Sequence, residues 1–170
     1  MIPQYLIILL SAAVLAILQT TILAFLSQNL QLDFIFVIVV LIGLYKDPVH
    51  GSILTALLGL GEDIISGNMA GLFMTSRICV FIAAQVLKER LSPDTPLAQF
   101  MIALGLGVFD RVVLLLLQEL FTEPLELSGT LLLHMVLGVL VNAALIPLFY
   151  FLFCRIPGFI ELPRGPRVSA

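Results

Sequence analysis

The chain has no tryptophan, two cysteines, two histidines and, across 170 residues, only 8 Lys and Arg against 11 Asp and Glu. A charged share of 11% is less than half of the ~25% that an ordinary soluble domain carries, too little to coat solvated helix faces. Cys79 and Cys154 sit inside apolar runs without CxxC spacing, which excludes a disulfide framework and a cysteine metal site. A net charge of -3 and a pI near 5.2 leave no basic footprint for nucleic acid and no polybasic patch for an anionic surface. HExxH and GxSxG are both missing, so metalloprotease and serine-hydrolase readings have no support. What is abundant is apolar: hydrophobic residues make up 61% and the mean hydropathy is +1.17. Apolar runs of spanning length follow one another along nearly the whole chain, which predicts an integral membrane protein.

Six runs divide the chain into an all-α, polytopic arrangement of six transmembrane helices forming one domain over residues 1–170. Residues 4–26 lack the basic n-region and small-residue cleavage site of a signal peptide and read as a retained helix. Residues 34–45 are short, about 18 Å as a helix against a ~30 Å hydrocarbon core. Merging them with the next run would bury Lys46, Asp47, Pro48 and His50 in one ~48 Å helix, so a turn is predicted at residues 46–50. The other runs are residues 50–65, 71–87, 97–121 and 131–154. In this arrangement Lys46, Lys88, Arg90, Arg155, Arg164 and Arg167 fall on the side of both termini and the opposite loops carry no Lys or Arg. The positive-inside rule then makes both termini cytoplasmic. Tyr5, Tyr45 and Tyr150 land at that same interface as an aromatic belt.

Small residues recur every four positions. Gly51, Thr55, Gly59 and Asp63 form one ridge, Gly71, Thr75, Cys79 and Ala83 a second, and Ala12, Ala16, Thr20 and Ala24 a third. Residues four apart share a helical face, and in lipid such faces allow close backbone approach. The first two ridges are predicted to pack on each other, and Ala12 and Ala16 to offer a face to a partner helix. Charged groups inside spans are costly and need partners. Asp63 and Arg77 are predicted to pair across the packed ridges. Asp110, Arg111, His134 and Asn142 extend this into an intramembrane polar network, either a structural one that holds helices in register or a site for a ligand, ion or partner helix. Gly59-Leu60-Gly61-Glu62-Asp63 approaches the GxGD segment of intramembrane aspartyl proteases but is one residue off, and Asp63 and Asp110 sit at different depths. His50 and His134 fall on opposite sides of the membrane and cannot share a metal. No catalytic residue, cofactor or metal site is therefore assigned.

The segments DFIFVIVVLIGLYKDPVHG, GSILTALLGLGEDIISG and AGLFMTSRICVFIAAQVLKERL, covering residues 33–91, resemble the rod shape-determining membrane protein family MreD. Length, membrane content and the Lys-Glu-Arg after the fourth run agree with this. The extra Glu62 beside Asp63 departs from the family pattern. The resemblance implies a non-enzymatic scaffold of the bacterial cell-elongation machinery in the cytoplasmic (inner) membrane. Its implied partners are an MreC-like bitopic protein and, with it, MreB, RodA and a class B penicillin-binding protein that build lateral peptidoglycan. The alternative is a substrate-binding S component of a vitamin-type transporter, also a small six-helix membrane protein, for which Ala12 and Ala16 would contact the coupling subunit. Such a binder needs polar and aromatic groups converging on a pocket, and this chain has no Trp.

Overall fold

The computed structural model describes residues 33–67, 71–91, 93, 95–121 and 129–153. These form five helices: α1 (Phe34–Tyr45), α2 (Pro48–Ser66), α3 (Leu72–Arg90), α4 (Pro96–Phe121) and α5 (Gly129–Phe153). The start of α1 is set by Asp33, whose carboxylate accepts the Phe36 N–H at 2.8 Å, the usual N-cap contact. It stops at Tyr45 because Asp47 precedes a proline and is held extended, with φ -66° and ψ 146°. Pro48 then opens α2 at a position where its missing N–H costs nothing. Gly67, at φ 65°, ends α2 in the left-handed conformation. Pro96 opens α4, whose first turn is capped by Thr95 Oγ1 accepting from Ala98 N–H at 3.2 Å. The turn predicted at residues 46–50 thus narrows to Lys46 and Asp47, residues 34–45 keep their predicted bounds, and the other boundaries move by at most three residues.

Consecutive helices run antiparallel. Tyr45, Lys46 and the start of α2 lie at one end of the bundle with the end of α3 and the start of α4: Lys46 C=O accepts from Gln85 Nε2 at 3.0 Å and Lys88 Nζ at 3.4 Å, and the Tyr45 hydroxyl donates to Pro93 C=O at 3.0 Å. Tyr45 and Tyr150 stack there with ring centroids 5.0 Å apart. Asp33, Ser66, Gly71 and Phe121 mark the opposite, Asp33 end. Around the bundle α2, α3, α4 and α5 pack in succession, and α1 lies against α2, α3 and α5. Every α1 residue from Ile35 to Leu44 is buried, as expected of a helix apolar all round. The outer helices bury one stripe each and leave large apolar side chains exposed, among them Ile53, Leu57 and Ile64 on α2 and Leu116, Leu120, Leu148 and Phe151 on α4 and α5. The described chain is all-helical, and α4 and α5 are long and apolar enough to cross a membrane. Residues 4–26, with Ala12 and Ala16, lie outside the described residues.

Of the two small ridges predicted to meet, α2 uses its own. Gly51, Thr55, Gly59 and Asp63 are all buried. A Cβ on Gly59 would sit 2.5 Å from Met74 Cα, and one on Gly51 2.7 Å from the Phe81 ring. The α3 ridge is corrected: Thr75 is exposed, and the buried face is Leu72, Ser76, Arg77, Val80, Phe81 and Ala84. Gly71 is not a packing residue, since nothing lies within 4 Å of its Cβ position; its φ of 102° is what requires glycine. Small size on α3 matters instead at Ala84, whose Cβ lies 2.6 Å from the Cβ position of Gly43 on α1.

Candidate functional site: a buried arginine held by three carboxylates

Arg77, in the second turn of α3, is fully buried and touches carboxylates from three other parts of the chain. Its Nε donates to Glu62 Oε2 at 2.8 Å and its Nη2 to Glu62 Oε1 at 2.8 Å. This fork on α2 is the bidentate geometry that only a planar guanidinium provides. Nη2 also donates to Asp33 Oδ2 at 2.5 Å, and Nη1 to Asp110 Oδ1 on α4 at 3.0 Å. The Phe36 and Phe73 rings each stand 5.8 Å from Cζ, a distance at which aromatic faces attract a cation.

Neutral donors hold two of the carboxylates, and a backbone contact ties Asp33 to α5. Ser76 Oγ donates to Asp110 Oδ1 at 2.7 Å, Phe36 N–H to Asp33 Oδ1 at 2.8 Å, and the Asp33 N–H to Asn142 Oδ1 on α5 at 3.0 Å. Asp33 also sits at the N-terminus of α1, where the helix dipole favours negative charge. All five described helices therefore meet at one set of contacts. Three acidic groups face one guanidinium, and the arrangement is closed, with Arg77 at 0% and Asp110 at 1% exposure. Such a centre is stable only as a set, because removing one member strands the others without solvent. Its carboxylates converge on a guanidinium, and among the described residues no three His, Cys, Asp or Glu are placed to hold a metal ion.

The predicted Asp63–Arg77 pair is not formed. Asp63, 3% exposed, accepts instead from Gly71 N–H at 2.8 Å, Phe73 N–H at 2.8 Å and Met74 N–H at 3.2 Å. It caps the following helix from across the loop, satisfying the free N–H groups of the first turn of α3. The two adjacent acids thus divide the work: Asp63 serves the backbone of α3 and Glu62 its arginine. Of the remaining network residues, Asp110 and Asn142 join the centre, whereas Arg111 is half-buried with no hydrogen bond or ion pair among the described residues. His134 is half-buried on α5 and is not among the contacts of the centre. Sequence reasoning missed Asp33 and, of the two adjacent acids, favoured Asp63 over Glu62 as the partner of Arg77. A signal for Asp33 was present in the brevity of α1: a 12-residue helix that starts on a carboxylate begins inside the bundle.

A small pocket lined by Phe36, Gly107, Asp110, Arg111, Val139 and Asn142 adjoins this centre, and two further grooves are mostly apolar. One of about 250 Å³ runs between α4 and α5, lined by Leu104, Val108, Val112, Leu115, Leu132, Met135, Val136, Val139, Leu140 and Arg111. Another of about 280 Å³ lies between α3 and α4, among Leu87, Leu91, Ala98, Met101, Ile102 and Gly105. No family model, curated protein or solved structure matches the chain.

Proposed function

We propose that the chain is a multi-pass membrane scaffold with both termini in the cytoplasm, acting as an MreD-like member of the bacterial cell-elongation machinery that binds the membrane helix of an MreC-like partner. The observation that carries the scaffold reading is the closure of the polar centre. Arg77 and its three carboxylates are engaged in contacts between helices, and the grooves between α3 and α4 and between α4 and α5 are lined by apolar side chains apart from Arg111. A vitamin-binding transporter component needs polar groups that converge on an open cavity. The exposed aliphatic faces of α2, α4 and α5 and the length of α4 and α5 support immersion in lipid. There, association rests on close packing of smooth helix faces rather than on apolar burial. The resemblance over residues 33–91 supplies the identity of the machinery and its partners.

The test is copurification of the MreC-like partner from native membranes in mild detergent, with the Ala12→Leu/Ala16→Leu double variant beside the parent chain. Loss of the partner and rounding of rod-shaped cells, with the chain still inserted, is the expected result. Full partner binding and normal shape combined with lost vitamin uptake would replace the scaffold with the transporter component.

A further inference from the structure

Asp33, Glu62 and Asp110 all touch the Arg77 guanidinium, and among the described residues none of them pairs with another cation. Arg111 borders a small pocket with Asp110 and Asn142, so its charge is counted with the set. Acids still exceed cations by one, three against two. The rest of the chain does not make up the difference. Lys46, His50, Lys88 and Arg90 lie toward the opposite end of the bundle, and His134 on α5 is not among the contacts of the centre. Residues 1–32, 68–70 and 122–128, which lead into α1, join α2 to α3 and join α4 to α5, contain no Lys, Arg or His. The other titratable groups toward the Asp33 end add acid or nothing. Asp63 is committed to N–H groups of α3, Glu119 is exposed on α4, Glu123 and Glu126 are further acids, and Cys79 is turned ~200° from Arg77 on α3. Carboxylates crowded together away from water do not all ionise, and neighbouring ones share a proton. We infer that Asp33, Glu62 and Asp110 together hold one proton at pH 7, and that this proton is a latch whose release loosens α1, α2 and α4 from Arg77 on α3.

The hydrogen bonds leave room for that proton. Both oxygens of Glu62, both of Asp33 and Oδ1 of Asp110 already accept a donor. Asp110 Oδ2 accepts none among the described residues, so a proton there displaces no existing contact. With three acids on one guanidinium, the proton belongs to the set and not to one residue. Exchange has a route, since the Asp33 and Glu62 side chains keep 10% and 12% of their surface exposed while Arg77 keeps none. The effect on stability has a definite sign. In the unfolded chain carboxyl groups lose their protons near pH ~4, so above that range the folded chain holds one proton more. Stability then falls as pH rises, the unfolding constant growing about tenfold per pH unit until the centre gives up its proton. Neither the identity of a partner nor the presence of lipid enters the charge count.

Infrared spectroscopy of the purified chain in detergent at pH 7 reads the proton directly, because the carbonyl stretch of a protonated carboxyl group is separate from the bands of ionised carboxylates. The expected spectrum contains one such band, shifted in heavy water. Glu62→Gln and Asp110→Asn should each remove it, since two acids then face two arginines, and Asp63→Asn should keep it. Thermal melts supply a second reading that needs no variant of the centre. With His50 and His134 replaced by Gln, the melting temperature should fall as pH rises above 7. Absence of the band in the parent chain overturns the proposal, as does a band that survives in folded Glu62→Gln or Asp110→Asn. A melting temperature that stays level or rises above pH 7 in the histidine-free chain overturns it equally, even where the acid variants fail to fold.

Discussion

Arg77 is the residue on which the bundle is most exposed to damage, because four hydrogen bonds to three carboxylates converge on its guanidinium. Arg77→Gln should destabilise the protein by ~3 kcal/mol or more, since it strands buried acids. Arg77→Lys should rescue little, as one ammonium cannot form the fork on Glu62 while reaching Asp33 and Asp110. Thermal melts in detergent read both. The division of labour between the adjacent acids has its own signature. Asp63→Asn removes a helix cap and should cost about 1–2 kcal/mol. In double-mutant cycles it should be close to additive with Arg77→Gln, whereas Glu62→Gln and Arg77→Gln should be strongly non-additive. Strong coupling of Asp63 to Arg77 would contradict the capping role, as would rescue by the exchanged pair Asp63→Arg/Arg77→Asp.

Between elements, the crossing of α2 and α3 depends on the absence of one carbon atom. Gly59 faces the backbone of Met74 with a Cβ position 2.5 Å from Cα and 3.1 Å from N, and backbone cannot rotate out of the way as a side chain can. Gly59→Leu should sharply lower the yield of folded protein, and Gly59→Ala should lower its melting temperature. Gly61→Ala, two residues on with nothing within 4 Å, should leave the melt unchanged or raise it slightly through helix propensity. Equal effects at the two glycines would mean that propensity and not the crossing controls stability. The same crossing explains why Asp63 can reach α3 at all, since the separation that Gly59 permits brings its carboxylate onto the first turn of the next helix.

For the whole molecule, the arrangement of charge predicts sidedness. Lys46, Lys88 and Arg90 gather at one end of the antiparallel bundle, and the sequence adds Arg155, Arg164 and Arg167 after α5. With Cys79 and Cys154 replaced, Ser128→Cys should react with an impermeant thiol reagent on intact spheroplasts, and Ser92→Cys should react only after permeabilisation. Labelling of Ser92→Cys from outside would invert or break the topology. The bundle's polar centre lies toward the end opposite the basic one, so the positive-inside signal and the ion cluster are carried by different parts of the structure.

Composition and periodicity alone determined that the chain is helical and apolar, where the turn at Lys46 and Asp47 falls, and that α2 packs through Gly51 and Gly59. Each of these follows from local facts: a run length, a proline, a four-residue repeat on one face. That Arg77 and Asp110 need partners was equally legible, because the cost of burying a charge does not depend on the fold. Which partners they take was decided only by tertiary structure. Glu62 and Asp63 are neighbours in sequence and indistinguishable by composition, yet they point about 100° apart on α2, so one meets a guanidinium and the other a helix end. The α3 ridge failed for the same reason: the face that packs is set by the rotation of the helix against α1, α2 and α4, which a repeat of small residues does not encode. Asp33 and Asn142 are 109 residues apart, and nothing local to either announces the other; they meet because α1 starts inside the bundle beside α5.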